Sequence, residues 1–176
     1  MAGGGKYRGI AGGLAGRLIV GRFVLDTGIL VGYVRDAEFC RYVDAKYRPL
    51  EAPNFAVISA VTKGEILSLA MQFGWQEKKT QILGELLAKL PAVEIHRPPI
   101  LQRYAEIDCY SKGKLPGRPL PAGGSTRKMG KNDIWIAATA SVLEAPLVTI
   151  DGDYDHLDGV YLKVLRIDQK MTPEDI

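Results

Sequence analysis

Four carboxylates stand where the chain passes between apolar runs and helical patterns. Asp26 closes the run Phe23-Val24-Leu25 and is followed by Thr27 and Gly28. That run is continuous rather than alternating, which suits a strand covered on both faces, as in a parallel sheet. Asp151 closes Leu147 to Ile150 in the same way, while Glu65 and Asp133 open helical patterns. In right-handed β-α-β units helices start at the edge where strands end, so all four acids are delivered to one edge of one sheet. Each also has a local explanation. Thr62-x-x-Glu65 reads as a capping box, and Asn132 reads as a helix cap with Asp133 suiting the helix dipole. Asp26 and Asp151, each close before a glycine, suit turns. These explanations account for single residues and not for the convergence. No lysine or arginine adjoins Asp26 or Asp151 in sequence. Carboxylates crowded in this way repel unless a cation neutralises them, and hard oxygen ligands favour Mg²⁺ or Mn²⁺, as one or two ions.

The elements that must position these acids follow in order. Strands are expected at residues 23–25, 55–60, 93–95, 147–150 and 162–167. Helices are expected at 29–34, 37–47, 62–73, 76–90, 98–110 and 132–143, those at 62–73 and 76–90 forming an antiparallel pair broken near Gly74. Strands alternating with helices imply α/β architecture, a central, mostly parallel sheet of about four or five strands with helices on both faces.

At 176 residues the chain fits one domain. The division expected is a flexible glycine-rich tail over residues 1–21, a folded domain over 22–168 and a C-terminal tail over 169–176. The net charge of +3 is modest, but its distribution is uneven. Residues 111–131 carry Lys112, Lys114, Arg118, Arg127, Lys128 and Lys131 without an acid, in a loop rich in glycine and proline and long enough to suspect a function. These six are candidate contacts to the phosphates of a nucleic-acid backbone. Cys40 and Cys109 are expected as small buried apolar side chains in a reducing compartment, and Trp135 as a core residue. His96 and His156 are too isolated for a zinc site. No apolar run approaches a membrane span, and a cytoplasmic location is expected.

Four segments together resemble the acidic motifs of PIN-domain nucleases. They are Val24-Leu-Asp-Thr27, Ser59-Ala-Val-Thr-Lys-Gly-Glu-Ile66, Lys131-Asn-Asp-Ile-Trp-Ile-Ala-Ala138 and Leu147-Val-Thr-Ile-Asp-Gly-Asp-Tyr154. Within that family the chain is most similar to VapC-type toxins of toxin–antitoxin pairs, over roughly residues 22–168. The resemblance implies a PIN-like three-layer α/β/α sandwich. It implies Asp26, Glu65 and Asp133 as the main metal-site acids, Asp151 as the fourth and Asp153 as an accessory acid. Thr149 resembles the hydroxyl that orients the first aspartate, and Thr27 and Asn132 are placed beside the acids as supporting residues. It implies further an endoribonuclease, a homodimer, and a cognate antitoxin that blocks the site. The loop at 112–131 and the glycine-rich tail depart from the compact family pattern.

Residues and resemblance agree on metal-dependent phosphodiester hydrolysis. Asp26 and Asp133 are the expected direct ligands, with Glu65 holding a metal-bound water or the second ion. Asp151 and Asp153 complete the shell. A phosphatase of the haloacid dehalogenase type would need a second aspartate where Gly28 stands. A non-catalytic PIN-like RNA-binding or assembly module would be expected to lose some of these acids, which are all present.

Overall fold

The computed structural model describes residues 21–176. The expected N-terminal tail therefore falls outside the described residues, except for Gly21. Five strands form one parallel sheet in the order β3-β2-β1-β4-β5. They are β1 (Arg22–Leu25), β2 (Phe55–Ser59), β3 (Ala92–Val93), β4 (Leu147–Thr149) and β5 (Val164–Arg166). The helices are α1 (Thr27–Arg35), α2 (Ala37–Tyr47), α3 (Ala60–Gln72), α4 (Glu77–Lys89), α5 (Pro98–Ser111) and α6 (Lys131–Val142). Short 3₁₀ turns cover Gly152–Leu157 and Pro173–Asp175. The last of these is closed by Thr172 and Asp175 and lies against α2.

Both faces of the sheet are covered, which is why its strands are mainly apolar. Val24 and Leu147 point into a core built with α5 and α6, and it includes Ile107, Tyr110, Ile136 and Tyr154. Their neighbours Leu25 and Val148 point the other way, into a core with Ile29, Leu30, Phe39, Ile66 and Leu83 from α1 to α4. This period-two division is what a strand between two helical layers requires. The result is the three-layer α/β/α sandwich, and every strand pair is parallel.

Several local expectations are corrected. Helix α3 starts at Ala60, and the Oγ of Ser59 accepts the Val61 N–H as its cap, so Thr62 and Glu65 form no capping box. Helix α4 lies mainly against α1 rather than along α3. Both cysteines are free and half-buried rather than buried. The Cys40 thiol donates to Asp44 Oδ2 at 3.5 Å, and burial pushes it up to about 12. Trp135 is half-buried, its ring 4.0 Å from that of Tyr104 across α5 and α6.

The α1–α2 corner depends on a residue without a side chain. A Cβ on Gly32 would sit inside the Phe39 ring, which is buried beneath α1. Gly32→Ala is therefore expected to destabilise the fold by about 1–3 kcal/mol through overpacking. Urea unfolding at unchanged slope would measure it, and a loss below experimental error would show that Phe39 relocates freely.

Candidate acidic site

The strand order reverses between β1 and β4, and the ends of these two strands flank a crevice. In open α/β sheets ligands bind at such a switch point. Asp26 follows β1 directly and caps α1, its Oδ1 accepting the Thr27 N–H at 2.7 Å. Its Oδ2 accepts the Thr149 hydroxyl from β4 at 2.6 Å. Asp26 is only 6% exposed. Burial pushes its carboxyl up to about 6; the hydrogen bonds from Thr149 and Thr27 oppose this, and the charges of Asp133 and Glu65 add to it.

The other acids come from three further elements. Glu65 lies in the second turn of α3 and reaches across to α1 and α6. Its Oε2 accepts the Thr27 hydroxyl at 2.5 Å and its Oε1 accepts the Asn132 amide at 2.6 Å. Asn132 therefore orients Glu65 and does not cap α6, whose cap position is Gly130. Asp133, in the first turn of α6, is half-buried; its carboxyl is raised by burial first, then by the charges of Asp151 and Glu65. Asp151 is exposed at the rim. Its N–H donates to Thr149 Oγ1 at 3.0 Å and its Oδ1 accepts the Asp153 N–H at 2.8 Å.

Asp26, Glu65, Asp133 and Asp151 all line one pocket of about 450 Å³, and among the described residues no lysine, arginine or histidine lines it. Asp153 is exposed and does not line the pocket, although its charge contributes to the raised carboxyl of Asp133. Among the described residues no three acidic, histidine or cysteine side chains are yet arranged as a finished coordination set. Glu65 is held by Thr27 and Asn132, and Asp26 by Thr149 and Thr27. The chemistry of the donor set nevertheless fits a hard divalent cation. It offers carboxylate oxygens without a competing cation, two of them on carboxyls whose ionisation burial and mutual repulsion disfavour.

The sequence did not single out Tyr154. Its buried hydroxyl lies 3.4 Å from Asp26 Oδ1 and 3.4 Å from Asp133 Oδ1, spanning the two acids. A tyrosine between Asp153 and Asp155 looks solvent-facing along the chain; only the 3₁₀ turn directs it inward. Gly130 is a second such position. A Cβ there would come within 2.5 Å of Asp133 Oδ2. Gly130→Ala is expected to swing the Asp133 carboxylate away and weaken divalent-cation affinity by about tenfold, the lower end of what displaced supporting groups cost metal sites. Calorimetric titration with Mn²⁺ measures this, and unchanged affinity would mean that Asp133 needs no such approach.

The basic loop makes contacts of its own. Lys112 pairs with Asp108 at 2.7 Å, and Arg118 lies over the Tyr161 ring at 4.7 Å while donating to the Val160 carbonyl. None of Lys112, Lys114, Arg118, Arg127, Lys128 or Lys131 lines the acidic pocket. The loop is also anchored. Met129 is buried, Leu115 and Leu120 pack on the core, and the Arg127 N–H donates to the Ser111 carbonyl at 2.7 Å. His156 ties the loop base to the acidic turn, bonding Ser111 Oγ at 2.8 Å and the Asp153 carbonyl oxygen at 2.9 Å. His96 is exposed beside Glu94.

A parallel α/β sandwich with an acidic pocket at its switch point is thereby defined. The PIN domain model matches residues 23–160, and the chain belongs to the PIN domain family. Solved structures of similar fold include VapBC2 from Rickettsia felis bound to a DNA fragment from its promoter. The identity there is 20% and the TM-score 0.60, over 84% of this chain and 99% of that one. VapBC-1 from nontypeable Haemophilus influenzae is similar at 21% identity and TM-score 0.59, over 82% and 97%. FitAcB from Neisseria gonorrhoeae is similar at 23% identity and TM-score 0.58, over 82% and 96%. No curated protein sequence matches the chain.

Proposed function

We propose that this protein is a Mg²⁺- or Mn²⁺-dependent endoribonuclease and the toxin of a type II toxin–antitoxin pair. The observation that carries the reading is the convergence of Asp26, Glu65, Asp133 and Asp151 from four separate elements on one pocket that, among the described residues, no positive side chain lines. A phosphodiester is anionic and bare carboxylates would repel it. One or two divalent cations reverse the local charge, supply a more acidic water and stabilise the leaving oxygen. Asp26 and Asp133 would hold the cation directly. Glu65, oriented by Thr27 and Asn132, would hold a water or a second ion. Asp151 would close the rim, with Asp153 supplying further negative charge. Thr149 donates to Asp26 Oδ2 and would hold that carboxylate in place.

Two further solved structures of similar fold, VapBC-5 from Mycobacterium tuberculosis and a complex from Klebsiella pneumoniae, are of toxin–antitoxin systems, which supports a cognate antitoxin as partner; a homodimer is proposed as the active assembly. Among the described residues no helix is long and apolar enough to cross a membrane. The test is incubation of the purified protein with total RNA, with and without Mg²⁺ or Mn²⁺. Cleavage is expected only with metal. RNA left intact at every metal concentration would exclude the catalytic reading and favour a PIN module that binds without cutting.

A further inference from the structure

The acidic pocket has a neighbour of opposite character. Ile150, between β4 and Asp151, forms a wall of both. Beyond it lies a second pocket of about 460 Å³, lined by Lys46 from α2, Arg166 at the end of β5, and Lys170, with Asp168 as the one acid among the described residues that line it. Arg166 is the register partner of Thr149, the residue whose hydroxyl fixes Asp26, so the two pockets lie side by side along the same sheet edge. The cations here are differently engaged from those of the basic loop. Lys46 donates to the neutral hydroxyl of Tyr42 at 2.6 Å and lies over that ring at 5.0 Å. Among the described residues neither Lys46 nor Lys170 is in an ion pair. Arg166 pairs with Asp155, but both side chains are half-exposed, and such a pair costs little to open.

We infer that this second pocket binds the phosphate backbone of the RNA next to the bond that is cut, so that the strand crosses Ile150 from the acidic pocket onto Lys46, Arg166 and Lys170. The inference rests on reading the acidic pocket as a ribonuclease site. It moves the main electrostatic contact from the loop at 112–131, none of whose cations lines either pocket, to the opposite flank of the catalytic edge. Lysines without acidic partners are suited to this task. They release counterions on meeting phosphate, and no internal ion pair must be broken first.

The test uses the full chain carrying Asp133→Asn to prevent cleavage, and a short fluorescein-labelled single-stranded RNA of mixed sequence. Affinity is read by anisotropy across a salt series. Adding Lys46→Gln and Lys170→Gln is expected to weaken binding on the order of tenfold and to reduce the log–log salt slope by about 1.4, at about 0.7 per phosphate contact. Lys114→Gln with Lys128→Gln in the loop is expected to leave the slope unchanged. In the otherwise wild-type enzyme, Lys46→Gln and Lys170→Gln are expected to raise KM more than they lower kcat. If the wild type cleaves RNA and the pocket pair leaves the slope unaltered, the pocket assignment alone is overturned. If the wild type neither cleaves nor binds RNA, the ribonuclease reading fails and this assignment falls with it.

Discussion

Asp26→Asn and Asp133→Asn are each expected to lower metal-dependent RNA cleavage by on the order of 10³-fold or more, and to raise the melting temperature of the metal-free protein. The loss of activity follows from the cation. An amide oxygen carries no charge to hold a divalent ion, and the ion's contribution to the transition state is several kcal/mol, at about 1.4 kcal/mol per tenfold in rate. The gain in stability follows from the same burial. Asp26 is 6% exposed, its carboxyl is pushed up to about 6, and Asp133 and Glu65 add repulsion. Ionising it inside the fold at neutral pH costs up to about 3 kcal/mol relative to the unfolded chain. An asparagine removes that cost, while its side-chain oxygen still accepts one of the two hydrogen bonds from Thr149 and Thr27. The net gain is expected to be a few degrees, since 1 kcal/mol moves the transition of a chain this long by about 2–4 °C. Cleavage assays and calorimetry measure the two effects on the same preparations. Undiminished cleavage in both variants would remove this site from the reaction, whereas a folded but inactive Asp133→Asn establishes the role of α6 even if Asp26→Asn folds poorly.

The second large effect is the dependence of metal-free stability on pH. A carboxyl whose folded value lies above its unfolded value of 3.8 binds its proton more tightly in the native state. Between 3.8 and about 6 the native protein therefore carries the extra proton, and stability falls as pH rises through that window. Asp133, raised in the same direction by burial, adds to the slope. His156 opposes it, because burial lowers its imidazole and the folded state disfavours the proton. The difference between the wild type and Asp26→Asn cancels the histidine. That difference in melting temperature is expected to grow from pH 4 to pH 7 without metal, and to collapse when saturating Mn²⁺ holds Asp26 ionised in the wild type. A difference that stays flat over this range would mean that Asp26 is ionised at no cost, and that the pocket is better hydrated than its geometry indicates.

The class of fold and the four acids were legible along the chain because each is signalled by local chemistry. Apolar runs too continuous for a one-sided strand announced a sheet covered on both faces, and an acid at the end of such a run, or at the opening of the next helix, can reach only one edge. The same local reasoning misassigned what depends on distant partners. Glu65 looked like the far half of a capping box, but Ser59 caps the helix, and Glu65 is taken by Thr27 and Asn132, 38 and 67 residues away. The cations of the 112–131 loop stand out along the chain by density alone; that Arg118 lies over the Tyr161 ring and that Met129 is buried appears only in the fold.

Residue types and their order settled that there is one sheet, that its strands run parallel, and that Asp26, Glu65, Asp133 and Asp151 share an edge. Only the folded chain decided that Tyr154 turns inward between two acids, that Gly130 yields space to Asp133, and that Lys46 and Arg166 meet Lys170 beyond Ile150. The physical reason is range. Hydrogen bonding within a turn and burial on one face are set by neighbours a few positions away, while the direction of a side chain and the sign of the charge it faces are set by elements that pack together from opposite ends of the chain.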